Sequence, residues 1–188
     1  MDLKILGGEL KGRSIKIPNT TSTRPITSLL RKSIFDSCQF YIENAQVLDL
    51  FAGSGAIGIE AISRGAASAL FVDTAPIAID CIRGNLQVLG LRSKSTVIEG
   101  CAFKFLEQYE STPFDILFID PPYPIGLEGY TKLLDLLSKS NAFCRDSKIF
   151  IEAPTTITKE LTPLISALFR IRKERKSGTT TLFQILSN

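Results

Sequence analysis

The chain has 188 residues, 44% of them hydrophobic and 22% charged, which is the ordinary composition of one globular domain. It contains no histidine, which excludes reactions that need a His base, a Ser–His pair or a His metal ligand. The four cysteines are widely spaced, so we expect reduced thiols and no metal site. Since no apolar run reaches the length of a membrane span, we expect a cytoplasmic protein with no membrane partner.

The net charge of +3 is unevenly distributed. Residues 1–35 contain seven Lys or Arg and two acidic residues, whereas the rest of the chain contains fifteen basic and seventeen acidic residues. This basic beginning favours an anionic partner such as nucleic acid. An ordinary solvated surface explains the same charges, and charge alone leaves both interpretations open.

The first part of the chain predicts a small extension. Residues 4–17 contain three glycines between short apolar pieces, which is typical of a hairpin or a pair of loops. Thr27 or Ser28 is a suitable cap for a helix that runs to about Tyr41. We therefore predict an N-terminal basic extension at residues 1–44, with a hairpin and a helix that contact RNA, and a catalytic domain at residues 45–188.

From residue 46 onward the apolar pattern alternates between strand and helix. Short apolar runs at residues 47–51, 69–72, 96–98, 116–119 and 149–151 predict five strands, with helices after the first, second and fourth of them. Residues 169–186 predict two further strands joined at Ser177-Gly178. Alternating strands and helices indicate an α/β fold: a Rossmann-like, mostly parallel sheet of about seven strands with an antiparallel C-terminal hairpin.

A glycine-rich turn follows the first strand of this alternation. Gly53, Gly55 and Gly58 fit the pattern G-x-G-x-x-G between a strand and a helix. Asp73 lies twenty residues after Gly53 at the end of the next strand, where a carboxylate accepts hydrogen bonds from a ribose diol. A tight turn with no ligand gives the same glycine pattern, but the placed acid favours a cofactor that contains a nucleoside.

The glycines do not distinguish a nicotinamide dinucleotide from S-adenosylmethionine. Asp49, at the end of the first strand, favours the second cofactor. Its negative charge would repel a pyrophosphate and attract the cationic amino acid portion of S-adenosylmethionine.

A second motif, Asp120-Pro121-Pro122-Tyr123, follows the fourth strand. An exocyclic amine on a nucleobase is a poor nucleophile, so its protons must be held by acceptors while a methyl group arrives. The Asp120 carboxylate and the Pro121 carbonyl are suitable acceptors, and Tyr123 offers a ring on which a flipped base can stack. A proline-rich turn after a core strand is the structural alternative, but its position behind a glycine loop favours the catalytic interpretation.

These motifs, with others along the chain, resemble one family. The sequence is similar to the bacterial enzymes that make N2-methylguanine in 16S ribosomal RNA, which are Rossmann-like amino-methyltransferases with a D-P-P-Y motif. The similar stretches are Ile5-Leu6-Gly7-Gly8, Lys11-Gly12-Arg13, Arg24-Pro25-x-Thr27, Arg31, Phe35, residues 48–55, Gly58-x-Glu60-Ala61, residues 63–66, Asp115 and residues 120–123.

The resemblance implies a cofactor, a substrate and a set of site residues. It implies S-adenosylmethionine, converted to S-adenosylhomocysteine without a metal, and ribosomal RNA in an assembling small subunit as the partner. The catalytic residues implied are Asp120, Pro121, Pro122 and Tyr123. The cofactor-binding residues implied are Asp49, Phe51, Ala52, Gly53, Ser54, Gly55, Asp73, Cys101, Ala102 and Asp120. The RNA-contacting residues implied are Arg13, Arg24, Arg31 and Tyr123.

Other functions fit parts of the sequence. A DNA or protein amine methyltransferase of the same fold would use the same loop at residues 120–123, called the acceptor loop below. The basic N-terminal extension, which resembles that of the ribosomal RNA enzymes, argues against this alternative. A nicotinamide-dependent oxidoreductase explains the glycines and Asp73 but leaves Asp120-Pro121-Pro122-Tyr123 without a role. A non-catalytic RNA-binding protein would not need the intact acceptors. The sequence therefore favours in-line methyl transfer to the N2 amine of a guanine.

Overall fold

The N-terminal segment forms a hairpin followed by a helix. The computed structural model describes residues 2–18 and 27–188. Strands β1 (Asp2–Lys4) and β2 (Ser14–Lys16) pair antiparallel. Helix α1 (Ser28–Cys38) begins after Thr27, whose hydroxyl accepts a hydrogen bond from the Leu30 N–H at 3.2 Å. The predicted hairpin and helix are confirmed, although the helix ends three residues before the predicted Tyr41.

The remaining strands are β3 (Gln46–Leu50), β4 (Ser68–Asp73), β5 (Ser95–Glu99), β6 (Phe114–Ile119), β7 (Phe143–Pro154), β8 (Phe169–Ser177) and β9 (Thr180–Ser187). They form one twisted sheet in the order β5-β4-β3-β6-β7-β9-β8. The five strands β3 to β7 are mutually parallel, and β9 pairs antiparallel with both β7 and β8. The predicted fold class is therefore confirmed, including the antiparallel C-terminal hairpin.

Helices connect the parallel strands and cover both faces of the sheet. Their bounds are α2 (Ala56–Ser63), α3 (Pro76–Leu89), α4 (Ala102–Gln108), α5 (Gly126–Lys139) and α6 (Thr158–Leu168). The sequence predicted neither α4 nor α6. Helix α4 is only two turns long, so it has little helical periodicity to detect. Helix α6 contains Pro163, a residue that interrupts helices in most settings.

Two apolar cores lie on opposite faces of the sheet. One core contains residues of α1, α2 and α3, together with Ile5 and Ile15 of the hairpin. The other contains residues of α5 and α6 with Ala102 and Leu106 of α4. The apolar residues Leu30, Ile34 and Cys38 of α1 are buried in the first core. The N-terminal segment thus shares a core with the sheet, and the domain division at residue 44 stays a prediction.

The parallel strands direct their carboxyl ends to one edge of the sheet. The ends of β3, β4, β6 and β7 meet there, at the point where strand order reverses between β3 and β6. Open α/β sheets bind their ligands at this edge. Within residues 2–18 and 27–188, no helix is both long enough and apolar enough to cross a membrane.

Candidate active site

A cavity of about 440 Å³ lies at the carboxyl edge of the sheet. Its wall includes the loops after β3, β4 and β6, the start of α1, and the C-terminal hairpin. The predicted site residues that line it are Asp49, Phe51, Ala52, Gly53, Ser54, Asp73, Asp120, Pro121, Pro122 and Tyr123. The structure thus brings the two predicted motifs to one cavity.

The glycine loop is held by the Asp73 side chain. One Asp73 oxygen, Oδ2, accepts the Gly53 N–H at 2.8 Å, and Oδ1 accepts the Ala75 N–H at 2.9 Å. Phe51 has a φ of 66°, a left-handed conformation that is costly for a bulky residue and concentrates at functional sites. The Phe51 ring contacts Phe103 edge-on, with 6.2 Å between ring centroids. The loop is therefore shaped by side-chain contacts as well as by glycine.

The three glycines of the motif have different roles. Gly53 and Gly55 have φ angles of 56° and 74°, which glycine adopts without strain. Gly55 begins α2 but does not line the cavity. Gly58 packs against the sheet, because a Cβ atom at this position would lie 2.3 Å from the Phe71 ring. The motif thus provides two turn residues and one close approach of helix to strand.

Asp49 is 5% exposed, and its Oδ2 accepts the Gly58 N–H at 2.9 Å. Burial raises the pKa of Asp49 to about 7, despite the Gly58 hydrogen bond that lowers it, and the nearby Asp73 charge raises it further. A buried carboxyl of this kind gains most from a cationic ligand, since a positive charge beside it favours the ionised form.

Asp120 follows β6 directly and lies beside the end of β3, from which the glycine loop begins. Its backbone N–H lies 3.4 Å from the Leu50 carbonyl of β3. Burial raises the pKa of Asp120 well above the usual range, and the Glu152 and Asp49 carboxylates add to this rise. The site therefore concentrates acidic groups from three adjacent strands in a region of low solvent access.

Glu152 was not predicted as a site residue. It lies on β7, where the pairing of Ile151 with Ile119 places Glu152 beside Asp120 on the same face of the sheet. Its side chain is 9% exposed and lines the cavity. The sequence contained one indication of this role, because Glu152 directly follows the apolar run at residues 149–151. The sequence does not reveal, however, that this strand lies next to β6.

Tyr123 is tied to the C-terminal hairpin. Its hydroxyl oxygen lies 2.6 Å from the Thr180 hydroxyl, while 36% of the residue remains exposed at the cavity. Ser177 and Thr180 also line the cavity, and the sequence did not predict either of them. The hairpin therefore completes the wall on the side where Tyr123 presents its ring.

Cys101 and Ala102, which the family resemblance places beside the adenine of the cofactor, lie outside the cavity wall. Cys101 precedes α4 and Ala102 is its first residue, and neither lines the cavity. The Gly100 N–H donates to the Asp73 carbonyl at 2.9 Å, so the turn before α4 adjoins the residue predicted to hold the ribose. Their role in binding adenine stays a prediction.

The three arginines predicted to contact RNA have different environments. Arg13 is exposed, and its guanidinium donates to the Val88 carbonyl at 2.9 Å. Arg24 lies outside the described residues. Arg31 is 0% exposed, so its predicted contact with RNA is wrong.

Arg31 instead takes part in a buried network around Glu60. Glu60 accepts the Leu6 N–H at 2.9 Å and forms ion pairs with Arg31 at 3.4 Å and Arg64 at 2.8 Å. Arg31 also donates to the Lys4 carbonyl at 2.9 Å. A buried charge needs such partners, and this network joins the hairpin, α1 and α2. Arg31 therefore stabilises the packing of the N-terminal hairpin and α1 against α2 through buried contacts.

Within the described parts of the chain, no group of three or more Cys, Asp or Glu residues has the arrangement that could hold a metal ion. The cavity instead combines backbone amides, aromatic rings and buried carboxylates, which bind organic cations and hydrogen-bond donors.

Comparison with known proteins matches nearly the whole chain. The family described as Conserved hypothetical protein 95 matches residues 3–185. Ribosomal RNA small subunit methyltransferase D of Buchnera aphidicola subsp. Acyrthosiphon pisum is 36% identical over 148 residues, which cover 79% of this chain and 76% of the relative. The protein of the same name from Escherichia coli K12 is 32% identical over 176 residues, which cover 94% of this chain and 85% of the relative.

A solved structure agrees with these sequence matches. The Escherichia coli protein yhhF matches with a TM-score of 0.86 at 28% identity, over 100% of this chain and 99% of that chain. The matched region includes the glycine loop, the Asp120 loop and the C-terminal hairpin. The chain is a methyltransferase and belongs to the family described as Conserved hypothetical protein 95.

Proposed function

We propose that this enzyme transfers a methyl group from S-adenosylmethionine to the N2 amine of one guanine in small-subunit ribosomal RNA. The relatives named above are called ribosomal RNA small subunit methyltransferases. The observation that carries the proposal is the shared cavity, which is lined by both the glycine loop and Asp120, Pro121 and Tyr123. A cofactor at the first loop and a base at the second would meet within it.

The cofactor lies along the glycine loop in this proposal. The Asp73 carboxylate accepts the ribose hydroxyls while it continues to hold Gly53. Asp49 attracts the ammonium group of the methionine portion, whose positive charge offsets the cost of a buried carboxylate. The adenine reaches the turn at Cys101 and Ala102, which adjoins Asp73 through the Gly100 hydrogen bond. S-adenosylmethionine supplies the methyl group as a sulfonium.

The target base lies against the acceptor loop. The Asp120 carboxylate and the Pro121 carbonyl each accept a hydrogen bond from one N–H of the N2 amine. The nitrogen lone pair is then directed at the methyl group. The positive sulfonium and ammonium favour the ionised form of Asp120 when the cofactor is bound. Because burial and Glu152 raise the pKa of Asp120, this carboxylate is also a better proton acceptor than an ordinary Asp once the nitrogen has been methylated.

Tyr123 provides the stacking surface for a base turned out of its RNA. Its hydroxyl is held by Thr180, so the ring has one orientation, and base stacking on an aromatic ring contributes about 1–3 kcal/mol. Asp120 lies within the cavity, which requires the guanine to leave its stack before reaction. We place this step in an assembling small subunit, whose folded RNA presents one guanine at the cavity.

The test uses small subunits and protein-free 16S RNA from cells that lack this enzyme. Each substrate is incubated with the purified protein and radiolabelled S-adenosylmethionine, and the modified nucleoside is identified by mass spectrometry. We expect one N2-methylguanine per RNA, formed faster on the particle than on free RNA. Label in N6-methyladenine, in duplex DNA or in a ribosomal protein would contradict the proposal, and parallel binding measurements with NADH exclude the oxidoreductase alternative.

A further inference from the structure

Strand β8 is an exposed, basic edge of the sheet. It pairs on one side only, with β9, and contains five basic residues and one acidic residue. All six of these side chains are exposed. Charged residues on an edge strand prevent it from pairing with another sheet. This role explains why β8 is charged, but it does not explain which charges lie on which face of the strand.

A one-residue bulge at Arg172 determines which β8 side chains face the cavity. Beyond it, Lys173 pairs with Gln184, Arg175 with Leu182, and Ser177 with Thr180. Leu182 and Thr180 line the cavity, and residues paired across two strands share a face. Lys173 and Arg175 therefore lie on the cavity face of the sheet.

Contacts with the flanking helices agree with this assignment. Arg175 donates a hydrogen bond to the Ser33 hydroxyl of α1, on the cavity face. Glu174 lies 3.5 Å from the Thr162 hydroxyl of α6, which covers the opposite face. Without the extra residue, Glu174 would stand opposite Leu182 and bring a negative charge to the cavity face. The bulge thus places Lys173 and Arg175 on that face instead of Arg172, Glu174 and Lys176, which removes the only acid of the strand from it.

Lys173 and Arg175 lie on the part of β8 that ends at the cavity. Ser177 lies at the end of β8 and lines the cavity wall. At about 3.4 Å per residue, Arg175 lies roughly 7 Å and Lys173 roughly 14 Å from Ser177 along the strand. If one base of a nucleic acid strand lies against Tyr123, the phosphates of the neighbouring nucleotides would therefore lie close to Arg175 and Lys173.

We infer that the cavity face of β8, formed by Lys173 and Arg175, binds the phosphate backbone of the RNA beside the target nucleotide. This inference rests on the proposed function, since it takes ribosomal RNA as the substrate. RNA is favoured over an added protein strand because the face offers cations rather than apolar pockets. An Arg guanidinium has five N–H donors, so Arg175 has donors left for phosphate beside its bond to Ser33.

The test compares two identical substitutions on opposite faces of the same strand. Lys173→Gln removes a charge from the cavity face, whereas Lys176→Gln removes the same charge beside Thr181, on the other face. Affinity for unmethylated small subunits is measured from about 50 to 300 mM salt. One lost phosphate contact lowers the slope of log K against log salt by about 0.9 and the affinity about fivefold at 0.15 M salt. We expect this change for Lys173→Gln only.

The remaining measurements separate this inference from the proposed function. Both variants should keep the cofactor affinity and thermal midpoint of the parent, because both residues are exposed. Equal losses in the two variants, or an unchanged slope for Lys173→Gln, would overturn the role of the cavity face. If the parent protein binds small subunits but forms no N2-methylguanine, the proposed function fails instead, while the binding comparison still tests β8.

Discussion

The hydroxyl oxygens of Tyr123 and Thr180 lie 2.6 Å apart and join the acceptor loop to the C-terminal hairpin. The two residues are 57 positions apart in the sequence. Tyr123 belongs to the loop proposed to hold the target base, and Thr180 begins the strand that closes the cavity wall. The hydrogen bond therefore links the orientation of the stacking ring to the position of the hairpin.

We expect Tyr123→Phe and Thr180→Val to lower kcat/KM by similar, modest factors. Each removes one hydroxyl of the pair, and a neutral hydrogen bond contributes about 0.5–1.5 kcal/mol. Because both changes break the same contact, the double variant should lose little more than either single variant. Tyr123→Ala serves as a reference that also removes the stacking ring and should be considerably slower. Fully additive losses would show that the two hydroxyls act separately.

Asp120→Asn should lower kcat about a hundredfold or more while the cofactor affinity changes little. The Asn oxygen still accepts a hydrogen bond, but the charge that favours the developing cation is lost. Single-turnover methylation and calorimetric titration with S-adenosylhomocysteine measure the two quantities separately. Asp115→Asn is a suitable control, because Asp115 accepts the Gln46 N–H at the far end of the same strand. Near-normal turnover in Asp120→Asn would remove this residue from the mechanism.

Asp73→Ala should weaken cofactor binding by about 1.5–3 kcal/mol, the contribution of a hydrogen bond to a charged group. The Gly53 and Ala75 N–H groups lose their acceptor in the same variant, so the glycine loop also becomes less ordered. Calorimetry gives the affinity, and Asp80→Ala on the exposed side of α3 is the control for a lost surface charge. Unchanged affinity would limit Asp73 to a structural role in the loop.

Cofactor affinity should increase as pH rises from about 5 to 7 and then level off. The pKa of Asp49 in the empty protein is raised to about 7, so below that pH the carboxyl must release a proton before it can pair with an ammonium group. Calorimetry in buffers with different ionisation enthalpies should detect this proton release. Asp49→Asn should bind more weakly and without this dependence on pH. A variant that keeps the full pH dependence would assign it to another group, such as Asp120.

The same raised pKa affects the stability of the empty protein. Between about pH 4 and 7 the unfolded chain has an ionised Asp49 while the folded protein retains the proton. The folded state then binds more protons, so the contribution of Asp49 to stability decreases as pH rises through this range. Denaturant unfolding of the parent and of Asp49→Asn should diverge in this direction across the same interval.

Arg31→Met should destabilise the protein by about 3–5 kcal/mol, because it leaves Glu60 buried with one partner fewer. The adjacent residue provides the control. Lys32 forms an exposed ion pair with Asp36 at 2.8 Å, and exposed pairs contribute about 0–1 kcal/mol. Lys32→Met should therefore change the free energy of unfolding little. Equal losses in the two variants would show that the Glu60 network does not stabilise the N-terminal segment.

Local patterns in the sequence determined the strands, most of the helices and the two motifs. The alternation of strand and helix depends on side-chain periodicity over a few residues, and the seven-stranded sheet with its C-terminal hairpin follows from it. The glycine loop, Asp49, Asp73 and residues 120–123 were found in the same way. Parallel strands place such loops at one edge, so their meeting in one cavity was predictable.

Only the tertiary structure decided contacts between distant segments. The positive charge of Arg31 in the basic N-terminal part of the chain favoured an RNA contact. In the structure Arg31 is buried against Glu60, which lies 29 positions away in the sequence. Glu152 joins Asp120 because β7 lies beside β6, and Thr180 holds Tyr123 because β9 lies beside β7. The faces of β8 depend on a bulge that no local pattern marks. Strand order, register and burial arise from packing of the whole chain, so the sequence determined the chemistry present while the fold decided which groups meet.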